Sequence, residues 1–368
     1  MTHAPSDRPP AVLPPSLRVL LVLAAAVIVL AGAHAAQELI GPLALAAVIV
    51  IICHPMRGPL ERRGWPRWAA TSAVIVLAYA VLAIMAALLY IAGAQFVGLV
   101  RDFQDDLRDT AESITQWLGG LGVQQEASDA AASVLDPSNL LSWATSLGSA
   151  TLGILVAFFF VLAYVIFMAV DAARYAHVED VFGAQVAPTV GRFQRFNTGV
   201  RRYYIVNASF GAIVAIIDGL ALWALQVPAP IVWAILAFVT NFIPNVGFVI
   251  GLIPPALLAL VVGGWPLMLV VIAIYCVVNV TLQVLVQPKF VSDAVDLTLT
   301  LSFFSVVFWT FIIGPLGAIL SIPLTLAVRA LVLDGDPQTW WVRWLSGDGS
   351  ARPARPVPSV RPEPEEEE

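Results

Sequence analysis

The sequence predicts an all-α, polytopic membrane protein of about eight transmembrane segments, and three observations lead there. Apolar residues make up 59% of the chain and charged residues 12%, against roughly 45–50% and 25% in soluble domains. The apolar residues gather into blocks that reach the ~20 residues a bilayer crossing needs. Two blocks, 231–262 and 297–333, are longer than one crossing and are broken by proline, glycine and amide residues.

Composition and motifs also exclude several classes. The net charge of −6 carries little weight, because the run 365–368 supplies four of the acids. No long basic block is present, so nucleic-acid binding has no support. Cys53 and Cys276 both fall in apolar runs and suggest no disulfide framework. His3, His34, His54 and His177 are scattered without metal-ligand spacing. A nucleophile elbow, a P-loop and a dinucleotide fingerprint are all lacking. The expectation is a non-enzyme with no cofactor and no metal.

Residues 1–16 carry Pro5, Pro9, Pro10, Pro14 and Pro15 and are expected to form a disordered cytoplasmic tail. The apolar runs 17–33 and 39–53 follow almost without a break, so they predict a tight helical hairpin rather than a cleaved signal peptide. Residues 55–68 hold Arg57, Arg62, Arg63 and Arg67, which marks a cytoplasmic loop. Both termini are then cytoplasmic. The third span, 69–92, completes a first membrane region over 17–92.

Residues 93–150 are expected to form an extracytoplasmic helical insert. Phe96, Val100, Phe103, Leu107, Ile114 and Trp117 recur at helical spacing opposite Asp102, Asp105, Asp106, Asp109 and Glu112. Gly119-Gly120 ends that helix, and Asp136-Pro137-Ser138 starts another.

The transport region is placed at 151–333, beginning with a span at 151–170. The arginine-bearing segment 171–202 lies on the cytoplasmic side, where Phe193, Phe196 and Val200 predict a separate helix along the membrane surface. The span 203–225 carries Asp218 near its apolar middle, and ionisable groups there are candidates for function. The tail 334–368 brings Trp340, Trp341 and Trp344 to the membrane surface and is expected to be disordered after 350.

The first interrupted block contains Asn241, Pro244, Asn245 and Gly247, followed by Pro254 and Pro255. Proline lacks the N–H that a continuous helix needs. Broken backbone survives in hydrocarbon only inside protein or along a watery cavity. Paired interruptions are the best pointer to a transporter's binding site. The second block supplies the pair: Gly314, Pro315 and Gly317, then Pro323. Between them Asn279, Gln283 and Gln287 follow four residues apart, on one helix face. Each block reads either as one bent span or as a re-entrant hairpin. The hairpin version places Lys289 on the cytoplasmic side and makes the two hairpins enter from opposite faces, as inverted repeats require.

The runs VWAILAFVTNFIPNVGFVIGLIPP (232–255), QPK (287–289) and FWTFIIGPLGAILSIPLTLAV (308–328) resemble the autoinducer-2 exporter family of bacterial permeases. The N-terminal half is similar to it only in layout. The resemblance implies a homo-oligomeric inner-membrane protein with cytoplasmic termini and secondary transport, with no ATPase domain on the chain. Members are described as autoinducer-2 exporters or as sodium/proton antiporters. Ahead of the QPK motif, where relatives often carry a Gly-Asn pair and a glutamate, this chain has Gln283-Val284 and Gln287.

Three functional readings stay open. The first is a secondary transporter moving a small polar solute, autoinducer-2 among them. Its site comprises Asn241, Pro244, Asn245 and Gly247 facing Gly314, Pro315 and Gly317, with Asn279, Gln283 and Gln287 on the helix between. Neutral amides offer both donors and acceptors, which suits a polyhydroxylated solute. The second is a sodium/proton antiporter that exchanges a monovalent cation at Asp218. The third is a membrane scaffold whose tail binds partners. In all three the lipid bilayer is the surrounding partner.

Overall fold

The computed structural model describes residues 14–120, 125, 133, 136–142, 151–175, 178–244, 246–287, 297–334 and 339–347, and no strand occurs among them. The chain is an all-α, polytopic membrane protein. By length and composition five helices can cross a bilayer: Gln37–Arg62, Arg67–Asp102, Gly183–Ala224, Gly247–Val286 and Pro315–Leu333. Shorter apolar helices accompany them at Leu20–Ala35, Phe159–Asp171, Pro230–Thr240 and Leu299–Ile313. Asn245, Lys289 and the expected disordered stretch after 350 lie outside the described residues, as does nearly all of the N-terminal tail.

Helices α1 (Pro15–Ala35) and α2 (Gln37–Cys53) are separated by Ala36 alone. The expected tight hairpin does not form. An αα-hairpin needs a loop of 2–5 residues, whereas Ala36 keeps φ −101° and ψ 20° and only bends the chain. Residues 20–29 of α1 are exposed, and Leu30, Ala33 and His34 of its last turns meet the bundle.

A short helix, α3 (Arg57–Arg62), then links α2 to α4 (Arg67–Asp102), and Arg57 bonds Glu61 across one turn at 2.8 Å. We call this the basic end of the bundle. α4 runs on past residue 92, and α5 (Gln104–Gly120) follows after a break at Phe103. Val100 and Leu107 bury with Leu140, while the acids of α5 stay exposed. The helical stretch 137–142 starts where the sequence places it. There the Asp136 carboxylate accepts from the Ser138 hydroxyl and amide, which holds its pKa below the usual carboxylate range. This is the acidic end.

α6 (Thr151–Tyr175) returns antiparallel to α4, and the Tyr79 hydroxyl donates to the Leu162 carbonyl at 3.1 Å. The Ala46, Ile49 and Val50 side of α2 packs between them. After α7 (Val178–Phe182), one continuous helix, α8 (Ala187–Ala224), runs from the basic to the acidic end. It contains the segment expected to lie as a separate surface helix. Nothing between Pro188 and Ala224 is strong enough to break it, because Gly191 and Gly199 only lower helix propensity. Phe196 and Val200 therefore pack inward against Val48 and Leu326 instead of against lipid headgroups.

Both interrupted blocks fold as helical hairpins. α9 (Pro230–Thr240) and the first part of α10 (Gly247–Asn279) pair antiparallel, Thr240 against Gly247 and Ala237 against Gly251. An arm of 11 residues is ~16 Å long at 1.5 Å per residue, about half of the ~30 Å hydrocarbon thickness. Gly264, with φ 68° and ψ −169°, then reverses the chain inside α10. Val271 and Tyr275 of the returning part share a core with Ala256, Leu258 and Ala259 of the arm. This first hairpin opens at the acidic end, where Trp265 packs against Trp117 of α5.

The second hairpin joins α11 (Leu299–Ile313) to α12 (Pro315–Val328), with Trp309 against Gly317. α12 runs beside α2 from the Gly41–Leu316 contact toward the basic end. The two hairpins therefore open at opposite ends. A last helix, α13 (Trp340–Ser346), is tied back where the Thr298 amide donates to the Ser346 carbonyl at 3.0 Å. Arg343 pairs with Asp334 at 3.3 Å beside it.

Candidate functional site

The tip of the first hairpin meets α8 and the returning part of α10 in a chain of amides. Asn241, at the end of α9, donates from Nδ2 to the Asn207 carbonyl of α8 at 2.8 Å. Gln283 donates from Nε2 to Asn241 Oδ1 at 2.8 Å and to Asn279 Oδ1 at 2.6 Å. Gln287 donates to Asn207 Oδ1 at 2.7 Å, and Asn279 to the Tyr275 carbonyl at 2.8 Å. Asn207, Asn241 and Asn279 are buried, and Gln283 and Gln287 are half-buried. Each such bond adds only ~1 kcal/mol net, but a buried amide left unmatched costs ~1–3 kcal/mol. The cluster therefore holds its members to one arrangement until something replaces a partner.

The local sequence explains the placement. α10 passes into a π-helical stretch, Val280–Val286, just where Gln283 must reach Asn241. Short π segments occur often at functional sites, because the wider turn re-aims side chains. Pro244 and Gly247 shape the tip. A Cβ on Gly247 would collide with the Thr240 carbonyl, so glycine is required there. On α8, a Cβ on Gly211 would lie 2.7 Å from Asn241 Nδ2, so a larger residue would push the tip away.

Of the residues the sequence singled out, Asn241, Asn279, Gln283 and Gln287 come together. Gly314, Pro315 and Gly317 do not join them. They form the second tip, where Gly317 abuts the Trp309 carbonyl and Gly314 faces Gln37. His34 beside it hydrogen-bonds the Ile312 carbonyl at 3.2 Å. Tyr204 of α8 links the first tip to the second hairpin: its hydroxyl donates to the Ile319 carbonyl of α12 at 3.0 Å and its ring stacks on Phe242 at 6.2 Å. Asp218 lies beside the amides in a shared cavity of about 10 Å³, without bonding to them.

Sequence reasoning missed Asn207, Tyr204 and Tyr275. Asn207 had a usable signal, since it stands three helical turns before Asp218 on the same face of α8. Its Nδ2 is buried and has no hydrogen-bond partner among the described residues. Among those residues no group of three or more His, Cys, Asp or Glu comes together to hold a metal. The arrangement is thus a neutral, donor-rich and acceptor-rich site at the end of a half-length helix.

Residues 23–335 match the family model of the AI-2E family transporter. The chain belongs to the AI-2E transporter family. Relatives cover most of its length. The AI-2 transport protein TqsA of Escherichia coli (strain K12) is 27% identical over 315 residues, 85% of this chain and 91% of that protein. A putative transport protein of Haemophilus influenzae is 26% identical over 336 residues, 90% and 96% of the two chains. The putative transport protein YhhT of E. coli K12 is 25% identical over 309 residues, 84% and 88%. Membership of the AI-2E family and the apolar helices make this a multi-pass membrane protein with a transport role. The amide cluster lies within the matched region.

Proposed function

We propose that this chain is a secondary transporter that exports a small neutral polar solute across the bacterial inner membrane, with autoinducer-2 a candidate cargo. The observation that supports it best is the buried amide chain Asn207–Asn241–Gln283–Asn279 at the tip of a hairpin too short to cross a bilayer. A solute rich in hydroxyls replaces those amide–amide bonds one for one. Charge plays no part in that exchange, which suits a neutral cargo. The arginines of 57–67 support a cytoplasmic position for the basic end. Two hairpins opening at opposite ends, joined through Tyr204, supply the paired halves that alternating access needs.

The test is flux into proteoliposomes holding the purified full chain, with Asn241→Leu beside the parent. Leucine keeps the number of side-chain heavy atoms but removes the donor to Asn207 and the acceptor for Gln283. Solute flux should fall at least about tenfold, the equivalent of ~1.4 kcal/mol, while the oligomer elutes unchanged. Flux equal to the parent would remove the amide cluster from the pathway.

A further inference from the structure

One buried acid beside the cluster is left without a role. Asp218 is 0% exposed, and neither carboxylate oxygen has a hydrogen-bond partner among the described residues. The Tyr275 hydroxyl facing the same cavity is likewise buried and unmatched. Among the described residues, Tyr275 is the only titratable or charged group that α8, the first hairpin or the returning part of α10 sets against Asp218. The other side chains lining the cavity, Val214, Ala237, Asn241, Phe248, Asn279 and Gln283, are uncharged.

An unpaired carboxylate in such a place is neutralised or else acquires a counter-ion. A metal cation needs several oxygens at once, and those of Asn241 and Asn279, each accepting from Gln283, keep one lone pair apiece. About 10 Å³ of space admits one water at most. A proton fits these limits as they stand, whereas a coordinated cation would need the cavity to widen. The position matters too. Asp218 lies in the seam where the first hairpin rests on α8, between Gly211, held close to Asn241, and Gly219, where a Cβ would lie 2.9 Å from the Ala234 Cβ. That seam has no room for the water a charge requires.

We propose that Asp218 is a proton-binding site whose occupancy decides whether the first hairpin seats on α8. With the proton bound, the seam stays dry and the hairpin closes over the amides. When the proton passes to water entering the cavity, the charge draws hydration in and the hairpin lifts. The link to transport rests on the solute reading above; the proton-dependent seating does not.

The experiment uses the full chain in lipid nanodiscs without solute. Cys53 and Cys276 are replaced by serine, and spin labels are placed at Ile216→Cys on α8 and Ile250→Cys on the hairpin, both exposed. Distances are measured across a pH series. The parent should show two distance populations whose ratio changes about tenfold per pH unit, the slope of a single proton. Asp218→Asn should hold the short distance at every pH, and Tyr275→Phe should move the midpoint. A parent distance that ignores pH overturns the proposal, whether or not the asparagine variant folds. So does an Asp218→Asn protein that responds like the parent. Addition of sodium at fixed pH reproducing the shift also overturns it, in favour of a cation site. No flux enters the measurement, so the distances would stand even if the solute reading failed.

Discussion

The two hairpins turn on the same steric device. Gly247 lies against the Thr240 carbonyl in the first, and Gly317 against the Trp309 carbonyl in the second. Their polar groups are arranged differently. In the second hairpin the hydroxyls close on one another: Trp309 donates to Thr325 at 3.0 Å, Thr325 to Ser305 at 2.9 Å, and Ser305 to the Leu301 carbonyl at 2.6 Å. All of this stays within the hairpin. In the first, the tip amide reaches out to α8 and to the returning part of α10. The hydroxyls of the second hairpin are matched internally, and its neighbours His34 and Tyr204 reach only backbone carbonyls, whereas the tip amide of the first is matched by its neighbours. The contrast is the ground for proposing binding at the first and support at the second.

The steric device should give the largest effects. Gly247→Ala and Gly317→Ala each force a Cβ into a carbonyl, and overpacking of this kind costs roughly 3 kcal/mol. Melting of the detergent-solubilised oligomer should fall in both, by similar amounts. A large loss in one alone would break the equivalence of the tips. A pair of polar deletions comes next. Gln283→Leu should cut flux severalfold with little change in stability, whereas Thr325→Val should lower the free energy of unfolding by about 1 kcal/mol and leave flux intact. The reverse pattern would exchange the roles of the hairpins.

Asp136→Ala should have the smallest effect. The Ser138 hydrogen bonds depress the pKa of Asp136, so its contribution is present above the unfolded value of about 3.9. It is lost as pH falls through the lower folded value. Hydrogen exchange at 137–142 should quicken in the variant at neutral pH and match the parent in strong acid. Flux should not change.

The sequence made some of this legible for physical reasons. Asn279, Gln283 and Gln287 declare a shared face through their spacing alone. The prolines and glycines of the two tips mark where helices cannot continue. Asn207 offered only its three-turn spacing from Asp218 as a signal, and its hydrogen-bond partners stand 34 and 80 positions away. The π-helical stretch was hidden, since Val280–Val286 reads as ordinary apolar helix. The bend at Ala36 escaped because two apolar runs separated by a short gap predict a reversal, and only the dihedral angles of that residue deny it.

Gly264 has a consequence for topology maps. By hydropathy, Gly247–Val286 is a single stretch of 40 residues and scores as one crossing. The folded chain goes out and comes back within it. α9 and the arm enter and leave at the same end and together add no crossing, so the return alone carries the chain from the acidic to the basic end. The number of crossings stays at one, but the crossing begins at Gly264 and not at Gly247. A reporter fused just before Gly264 and one fused just after it therefore read the same end of the bundle.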